Sequence, residues 1–274
     1  MTTGKILGER YTINGESADV SDFQPDMSVD VYYEVVRLIG GKILFLDDHL
    51  QRLKRSLAQS GLEIPGEPAI LKSLQTLLRY NKLTLGNIRI CIQKSRDDAP
   101  NLLCYFVPYH YPGESMYSSG VQVASYRHER PNPGIKKWDN SFRVSVANHI
   151  RTHGVYEAIL VNERDEITEG SRSNLFFIDS KDRLVTPPAE NVLQGITRKY
   201  VLQICRQERI EVTERPVSQN ELSSLVSCFI SGTSPKVLPV LQLDEVQFRV
   251  DHPVLKRIME RFENLLLENL KTIT

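Results

Sequence analysis

The first part of the chain alternates apolar and polar residues in a way that predicts strands. Residues 31–46 read as two strands around a hairpin turn at Gly40-Gly41. A helix is predicted next, because leucines recur at helical spacing over residues 50–62 and Asp47 or Asp48 can cap its start.

A second helix is predicted over residues 69–80, followed by a strand pair over 88–92 and 102–108. Residues 109–120 carry Pro, Gly, Ser and Tyr with no period, which indicates a linker. We therefore expect a small N-terminal α/β domain over residues 1–117.

A new pattern follows the linker and predicts a larger C-terminal domain over residues 118–274. Turns at 162–165 and 179–182 separate consecutive strands. The predicted strands lie at 121–126, 157–162, 166–179, 184–186 and 228–230, and the predicted helices lie at 143–153, from Gly195 to about Arg209, and at 253–271.

Composition narrows the classes of partner. The chain is 41% hydrophobic and 25% charged, with 34 basic and 34 acidic residues and no net charge. Nothing in this balance favours nucleic acid, an anionic membrane or a polyanion, so a small-molecule substrate is the default. The N-terminus lacks an apolar signal region and no apolar run reaches membrane-spanning length, which predicts a soluble, cytoplasmic protein.

Common catalytic motifs are missing from the sequence. It contains no Gly-x-Gly-x-x-Gly, P-loop, Gly-x-Ser-x-Gly or His-Glu-x-x-His pattern. The four cysteines are scattered without C-x-x-C spacing and are predicted to be reduced core thiols. His149 and His153 could chelate a metal from one helix face, but no third ligand is evident, so no metal site is predicted.

Two short segments have the chemistry of phosphate cradles. Gly195 precedes Ile196 and Thr197 at a predicted helix start, where backbone N–H groups and the helix dipole attract anions. Thr233 lies in a Ser-Gly-Thr-Ser turn after an apolar strand. Arg52 adds a guanidinium, which can bind phosphate oxygens bidentately. Each feature taken singly is also compatible with a plain cap, turn or solvated helix face.

Five separated segments, in this order along the chain, together resemble the fold-type IV pyridoxal-phosphate (PLP) family. That family includes branched-chain aminotransferases, D-amino acid aminotransferases and aminodeoxychorismate lyases. The resemblance covers roughly residues 31–242. Its segments are residues 48–53, residues 134–136 placed before Tyr-Glu-Ala-Ile-Leu at 156–160, residues 166–176, residues 195–197 and residues 231–234.

The resemblance implies that Lys136 binds PLP as a Schiff base. Lys136 stands twenty residues before Tyr156, as in the family, although the adjacent Lys137 competes for the role. A catalytic lysine needs a depressed pKa so that its neutral amine can attack. The same resemblance assigns Glu169 to the pyridine nitrogen, where a carboxylate keeps the ring protonated and electron-withdrawing.

The resemblance also implies the remaining contacts. Arg52, Ile196, Thr197 and Thr233 would bind the cofactor phosphate, and Tyr33 would line the substrate pocket. Candidates for further substrate contacts are Arg172 and Ser234, because the Arg-x-His pair of the D-amino acid enzymes is replaced here by residues 93–98. Lys94 and Arg96 in that loop remain open alternatives for the substrate carboxylate.

The expected architecture is of the α/β (α+β) class, with a barrel-like sheet in the C-terminal domain and PLP in the cleft between the domains. The expected activity is transfer of an amino group between an amino acid, branched-chain by family frequency, and a 2-oxo acid. The alternative is a 4-amino-4-deoxychorismate lyase that releases pyruvate and 4-aminobenzoate. The resemblance also implies a homodimer.

Two other classes remain open at this point. One is a PLP-binding protein without turnover, against which the presence of both Lys136 and Glu169 argues. The other is an α/β interaction domain without PLP, for which the order of the five segments would be a coincidence. A yellow protein solution that borohydride bleaches would separate these classes.

Overall fold

The computed structural model describes residues 6–24, 29–63, 65–94 and 99–272. The chain forms two compact units. Unit 1 comprises Met1–His110, Ile135–Asn140 and Glu268–Thr274, and unit 2 comprises Tyr111–Gly134 and Ser141–Leu267. The predicted boundary between residues 117 and 118 stays a prediction.

Unit 1 is built on a seven-stranded antiparallel sheet in the order β17-β4-β3-β5-β6-β1-β2. Its apolar face packs against two helices, and the shared core includes Val36, Leu53 and Leu74. The strands are β1 (Leu7–Ile13), β2 (Glu16–Asp19), β3 (Val31–Ile39), β4 (Lys42–Leu44), β5 (Leu85–Gln93), β6 (Asn101–Val107) and β17 (Leu270–Lys271), and the helices are α1 (Leu46–Gln59) and α2 (Glu67–Asn81).

The predicted hairpin is present between β3 and β4. Gly40 and Gly41 both have positive φ, of 56° and 78°, as a two-residue turn of the I′ type requires. The turn sets the register, in which Leu38 faces Ile43 and Ile39 faces Lys42. The predicted aspartate cap of α1 is wrong, because the helix already starts at Leu46 and both aspartates lie in its first turn, where they favour the helix dipole.

Unit 2 contains a ten-stranded mixed sheet in the order β12-β11-β10-β14-β15-β7-β8-β9-β13, with β16 paired to β15. The pairs β7–β8, β7–β15 and β11–β12 are parallel. The strands are β7 (Val121–Arg127), β8 (Glu157–Val161), β9 (Glu166–Gly170), β10 (Asn174–Ile178), β11 (Leu184–Thr186), β12 (Val212–Glu214), β13 (Val217–Ser218), β14 (Ser227–Gly232), β15 (Lys236–Leu243) and β16 (Val246–Gln247), and the helices are α3 (Glu114–Ser119), α4 (Asn140–His153), α5 (Ile196–Gln207) and α6 (Pro253–Glu268).

Two sheets with flanking helices confirm the mixed α/β class, while the barrel-like shape of the second sheet stays a prediction. Two details of the predicted elements are wrong. The predicted linker contains the short helix α3, which ends at Ser119 and is followed by Gly120 with a φ of 72°. The predicted strand over residues 166–179 is two strands, because the chain turns at residues 171–173 between β9 and β10.

Candidate active site

Strand β3 and helix α1 bring together a buried group of three charged or titratable side chains. Arg52 donates from Nε and Nη2 to the two carboxylate oxygens of Glu34, at 2.7 and 2.6 Å. Nδ1 of His49 lies 2.7 Å from Oε2 of Glu34. All three residues are buried. This network fixes the orientation of the Arg52 guanidinium.

The network also sets the protonation states of Glu34 and His49. Burial alone would raise the pKa of Glu34, but the charge of Arg52 and the hydrogen bonds from Arg52 and His49 outweigh it and hold the pKa well below the ordinary value. Burial lowers the pKa of His49, and the positive charges of Arg52 and Lys136 lower it further, against the opposing effect of Glu34. The group is therefore an ion pair with a neutral imidazole.

The segment that carries Lys136 is paired along β3. The N–H of Tyr33 donates to the Lys136 carbonyl at 3.1 Å, and the N–H of Trp138 donates to the Val31 carbonyl at 2.8 Å. The N–H of Lys136 also donates to the buried hydroxyl of Ser56 in α1, at 3.3 Å. Backbone pairing therefore positions Lys136 against both β3 and α1.

The two adjacent lysines have different surroundings. Nζ of Lys136 lies over the ring of the buried Tyr33, 5.0 Å from its centroid. Nζ of Lys137 lies 2.7 Å from a carboxylate oxygen of Asp30, and its side chain is 47% exposed. The hydrogen bond from Lys137 to Asp30 raises the pKa of Lys137. Lys136 is thus the lysine that lies against the buried aromatic residue.

Strand β5 places a half-buried arginine beside the same aromatic residue. The Arg89 guanidinium lies 4.4 Å from the Trp138 ring centroid, 5.5 Å from that of Tyr33 and 5.7 Å from that of Tyr105. Its Nη1 donates to the Tyr105 hydroxyl at 3.4 Å. Nε of Arg89 is buried without a hydrogen-bond partner among the described residues. Sequence reasoning missed Arg89, although a lone arginine between Ile88 and Ile90 in a buried strand was a usable signal.

In unit 2, Glu169 lies near the end of β9. One of its carboxylate oxygens accepts from Nη1 of Arg130 at 2.9 Å, and the other accepts from the N–H of Leu193 at 3.0 Å. The Glu169 side chain is 4% exposed. The carboxylate is therefore held at both oxygens, once by a cation and once by the backbone.

The turn between β9 and β10 is fixed by a second buried carboxylate, that of Glu157. It accepts hydrogen bonds from the hydroxyls of Ser171 and Ser173. Nε of Arg172 lies 3.8 Å from Glu157, and Nη2 donates to the Tyr156 carbonyl at 3.4 Å. Burial raises the pKa of Tyr156 to about 12. Arg172 itself is 58% exposed.

Helix α5 starts at Ile196 without a side-chain cap. Its N-cap is Gly195, where a Cβ atom would lie 2.0 Å from Oδ1 of Asn174. Ile196 and Thr197 are buried in the first turn, whose N–H groups have no partner within the helix. The glycine therefore leaves room for the Asn174 side chain beside a helix start whose N–H groups are suited to an anion.

Further polar groups of unit 2 lie near this helix start. Nδ2 of Asn174 donates to the Leu193 carbonyl at 2.7 Å, and Asn174 pairs with Ser231 across β10 and β14. Oγ of Ser231 is buried without a hydrogen-bond partner among the described residues. Thr233 and Ser234 follow in the half-buried turn after β14. Hydroxyl and backbone donors of this kind fit a phosphate group.

The structure thus brings Tyr33, Arg52 and Lys136 into unit 1. The other predicted site residues lie in unit 2: Glu169, Arg172, Ile196, Thr197, Thr233 and Ser234. Lys94 is exposed, and Arg96 lies outside the described residues. The ring of His149 lies at a tilt against that of His153, with ring centroids 4.1 Å apart. In the described part of the chain, no group of three or more His, Cys, Asp or Glu residues is arranged to hold a metal ion.

None of the helices in the described ranges combines the length and apolar character needed to cross a membrane.

The family model for amino-transferase class IV matches residues 32–243. The chain is 27% identical over 258 residues to a D-alanine aminotransferase of Bacillus licheniformis, covering 89% of this chain and 90% of that protein. It is 26% identical over 278 residues to a putative branched-chain-amino-acid aminotransferase of Methanocaldococcus jannaschii, covering 95% and 96% of the two chains.

Solved structures share the fold. The Escherichia coli branched-chain amino acid aminotransferase superposes with a TM-score of 0.86 at 22% identity, over 98% of this chain and 100% of that one. A putative 4-amino-4-deoxychorismate lyase of Legionella pneumophila superposes with a TM-score of 0.77 at 21% identity, over 89% and 97% of the two chains. Both transferase and lyase activities are therefore named among proteins of this fold.

Proposed function

This chain belongs to the class IV aminotransferase family, whose enzymes depend on PLP, and from that premise we propose that Lys136 binds PLP covalently and that the enzyme moves an amino group between an amino acid and a 2-oxo acid. The observation that carries the proposal is the position of Lys136, anchored on β3 and α1 with Nζ over Tyr33. Lys137, by contrast, is paired with Asp30.

PLP supplies an electron-withdrawing ring that takes up the negative charge left at the substrate Cα when the α-proton departs. The amine of Lys136 would hold the cofactor through its aldehyde group. When an amino substrate takes that place, Nζ of Lys136 would be free to act as the base and acid that moves the proton of the substrate Cα. The ring of Tyr33 limits the directions in which the lysine chain can move.

Other residues would bind and orient the cofactor. Glu169 is proposed to contact the pyridine nitrogen, since its carboxylate is buried and held at both oxygens. The predicted phosphate ligands are Arg52, the N–H groups of Ile196 and Thr197, and the hydroxyls of Thr197 and Thr233. The fixed guanidinium of Arg52 and the start of α5, which no side chain caps, support these assignments.

Arg89 is proposed to bind a carboxylate group of the substrate. It is a half-buried cation whose Nε is buried without a hydrogen-bond partner, it has no ion-pair partner among the described residues, and it shares the Tyr33 ring with Lys136. An unpaired charge that is partly withdrawn from water is costly, so an anionic substrate group would stabilise it. Arg172, Ser234 and Lys94 remain predicted alternatives. Replacing Arg89 with methionine should raise KM for the amino donor far more than replacing the exposed Lys94 with methionine.

The test of the proposed function is chemical labelling. The purified protein, incubated with PLP and reduced with borohydride, should carry a phosphopyridoxyl group on Lys136 in peptide mapping. Lys136→Ala should lose the label and the transaminase activity, whereas the matched variant Lys137→Ala should keep both. A label on Lys137, or no bound chromophore after addition of PLP, would overturn the proposal.

The same preparation distinguishes the two predicted reactions. Amino transfer is measured with D-alanine and with branched-chain amino acids as donors, because both kinds of aminotransferase occur among the relatives. Lyase activity is measured as pyruvate released from 4-amino-4-deoxychorismate. The predicted homodimer is tested by light scattering during gel filtration.

A further inference from the structure

Arg130 is a charged partner of Glu169 for which the proposed reaction has so far no role. It lies three residues after β7 in a segment that is anchored by the N–H of His128, which donates to the Val161 carbonyl at 2.9 Å. The Arg130 side chain is 20% exposed, and its Nη1 lies 2.9 Å from Oε1 of Glu169. The guanidinium is therefore a partly buried counter-charge to a buried carboxylate.

The surroundings of the two buried carboxylates of unit 2 differ. Glu157 accepts from two serine hydroxyls, and its nearest cation, Arg172, is 3.8 Å away and mostly exposed. Glu169 instead has a close guanidinium on one oxygen and a backbone N–H on the other. The buried carboxylate of Glu157 is thus satisfied mainly by neutral hydrogen-bond donors, whereas that of Glu169 has a full positive charge beside it.

A nearby positive charge lowers the affinity of a carboxylate for protons. This matters for a carboxylate that shares a proton with a pyridine nitrogen, because the proton rests on whichever of the two atoms is the stronger base. The ring withdraws electrons from the substrate effectively only while its nitrogen is protonated. A guanidinium bound to the carboxylate would therefore help to keep the shared proton on the ring.

We propose that Arg130 is a positioning residue that holds Glu169 ionised and oriented, so that the proton shared between Glu169 and the cofactor stays on the pyridine nitrogen. This inference rests on the proposed function, since it requires PLP to be the group that Glu169 contacts. Arg130 acts through Glu169 and needs no contact with the substrate.

The test uses ¹⁵N-labelled PLP bound to the full-length protein, with the ring-nitrogen chemical shift read by NMR. Arg130→Gln keeps hydrogen-bond donors without the charge, Arg130→Met removes both, and Arg130→Lys restores a charge. The matched control is Arg127→Met, which removes a mostly exposed arginine of the same segment that pairs with Asp165. Thermal melting of every variant without PLP reports whether it is folded.

The wild type, the lysine variant and the Arg127 control should give a protonated-nitrogen signal, and the glutamine and methionine variants should move towards the unprotonated signal. Removal of the charge should shift the proton equilibrium between Glu169 and the ring nitrogen by roughly tenfold or more, since an adjacent arginine changes carboxylate proton affinity by about that factor. PLP binding should weaken as well, because the ring then loses its ion pair with Glu169. Loss of binding in Arg130→Gln with normal melting and rescue by lysine would support the same role.

An unchanged nitrogen signal in a folded Arg130→Gln protein that carries PLP would overturn the inference and leave the proposed function intact. If the methionine variant does not fold, the glutamine variant still gives this comparison. Failure of the wild type to bind PLP at Lys136 would be seen before any Arg130 variant is compared, and would remove the proposed function and this inference together.

Discussion

Replacement of Glu34 with glutamine is expected to destabilise unit 1 strongly, even though glutamine has nearly the same size and shape. The reason is that Arg52 would remain buried without its counter-charge, and His49 would lose its carboxylate partner. Removal of one partner of a buried ion pair typically costs more than the pair itself contributes, because the other charge is left desolvated.

The size of the effect follows from the contacts. Two hydrogen bonds between Arg52 and Glu34 are lost as charge-assisted interactions, at about 1.5–3 kcal/mol each. Both side chains are almost fully buried, so solvent screening does not reduce this value appreciably. The expected loss in the free energy of unfolding is about 3–5 kcal/mol, a large share of the roughly 5–15 kcal/mol that stabilises a typical protein.

The assay is urea unfolding followed by tryptophan fluorescence. Trp138 is the single tryptophan of the chain and belongs to unit 1, as does Glu34, so its emission reports on the unit that carries the substitution. With a slope of about 2 kcal/mol per molar urea, the midpoint should fall by about 2 M. The matched control is Glu16→Gln, which removes an exposed partner of Lys72 and should shift the midpoint little.

The dependence on pH provides a second check. Because the pKa of Glu34 is depressed from its ordinary value of 4.5, its stabilising contribution is present above that pH and is lost as the pH falls towards the folded-state pKa. The difference between wild type and Glu34→Gln should therefore narrow below about pH 4.5. A urea midpoint of Glu34→Gln within about 0.3 M of the wild-type midpoint at pH 7 would refute the reasoning. A double variant Glu34→Met/Arg52→Met that is no more stable than Glu34→Met would refute it as well.

Three further outcomes are expected. Gly195→Ala should weaken PLP binding about tenfold or more in an equilibrium titration, because the new Cβ would displace Asn174 at the start of α5; unchanged affinity would argue against a phosphate at this helix end. Burial lowers the pKa of His49 from its ordinary value of 6.5, so below that pH the unfolded chain takes up a proton that the folded chain does not. The free energy of unfolding should therefore already decline as the pH falls below 6.5, and His49→Gln should reduce that decline. A thiol reagent at pH 8 should leave the native protein almost unlabelled and should label all its cysteines in urea. Burial raises the pKa of each thiol, to about 11 for Cys91 and to about 12 for Cys205, and it likewise raises the pKa values of Cys104 and Cys228; rapid labelling of the native protein would contradict this burial.

Elements with strong local signals were predictable from the sequence. The hairpin at Gly40-Gly41 depends on two residues that tolerate positive φ, and α1 depends on a leucine stripe that becomes buried. The turn between β9 and β10 was missed although Gly170, Ser171, Ser173 and Asn174 are all residue types that favour turns. Its conformation depends on Glu157, which is close to Ser171 and Ser173 only in the folded chain.

The candidate site shows the same division. Glu34 reads from the sequence as an ordinary strand residue, and its importance appears only when α1 places Arg52 and His49 against it. Arg130 likewise precedes Glu169 by 39 residues, and no local pattern connects them. Motif order therefore identifies residues that contact a cofactor, whereas the residues that support those contacts emerge from tertiary packing.

The strand pairing of residues 136–138 bears on the choice between Lys136 and Lys137. Spacing from Tyr156 favoured Lys136, but a single insertion in the helix between them would have shifted that count. Residues paired along a strand point alternately to opposite sides. Because residues 136–138 pair with β3, Lys136 and Trp138 lie on the side of Tyr33 and Lys137 lies on the side of Asp30. A shift by one residue would turn both side chains round, so the pairing supports Lys136 independently of the count.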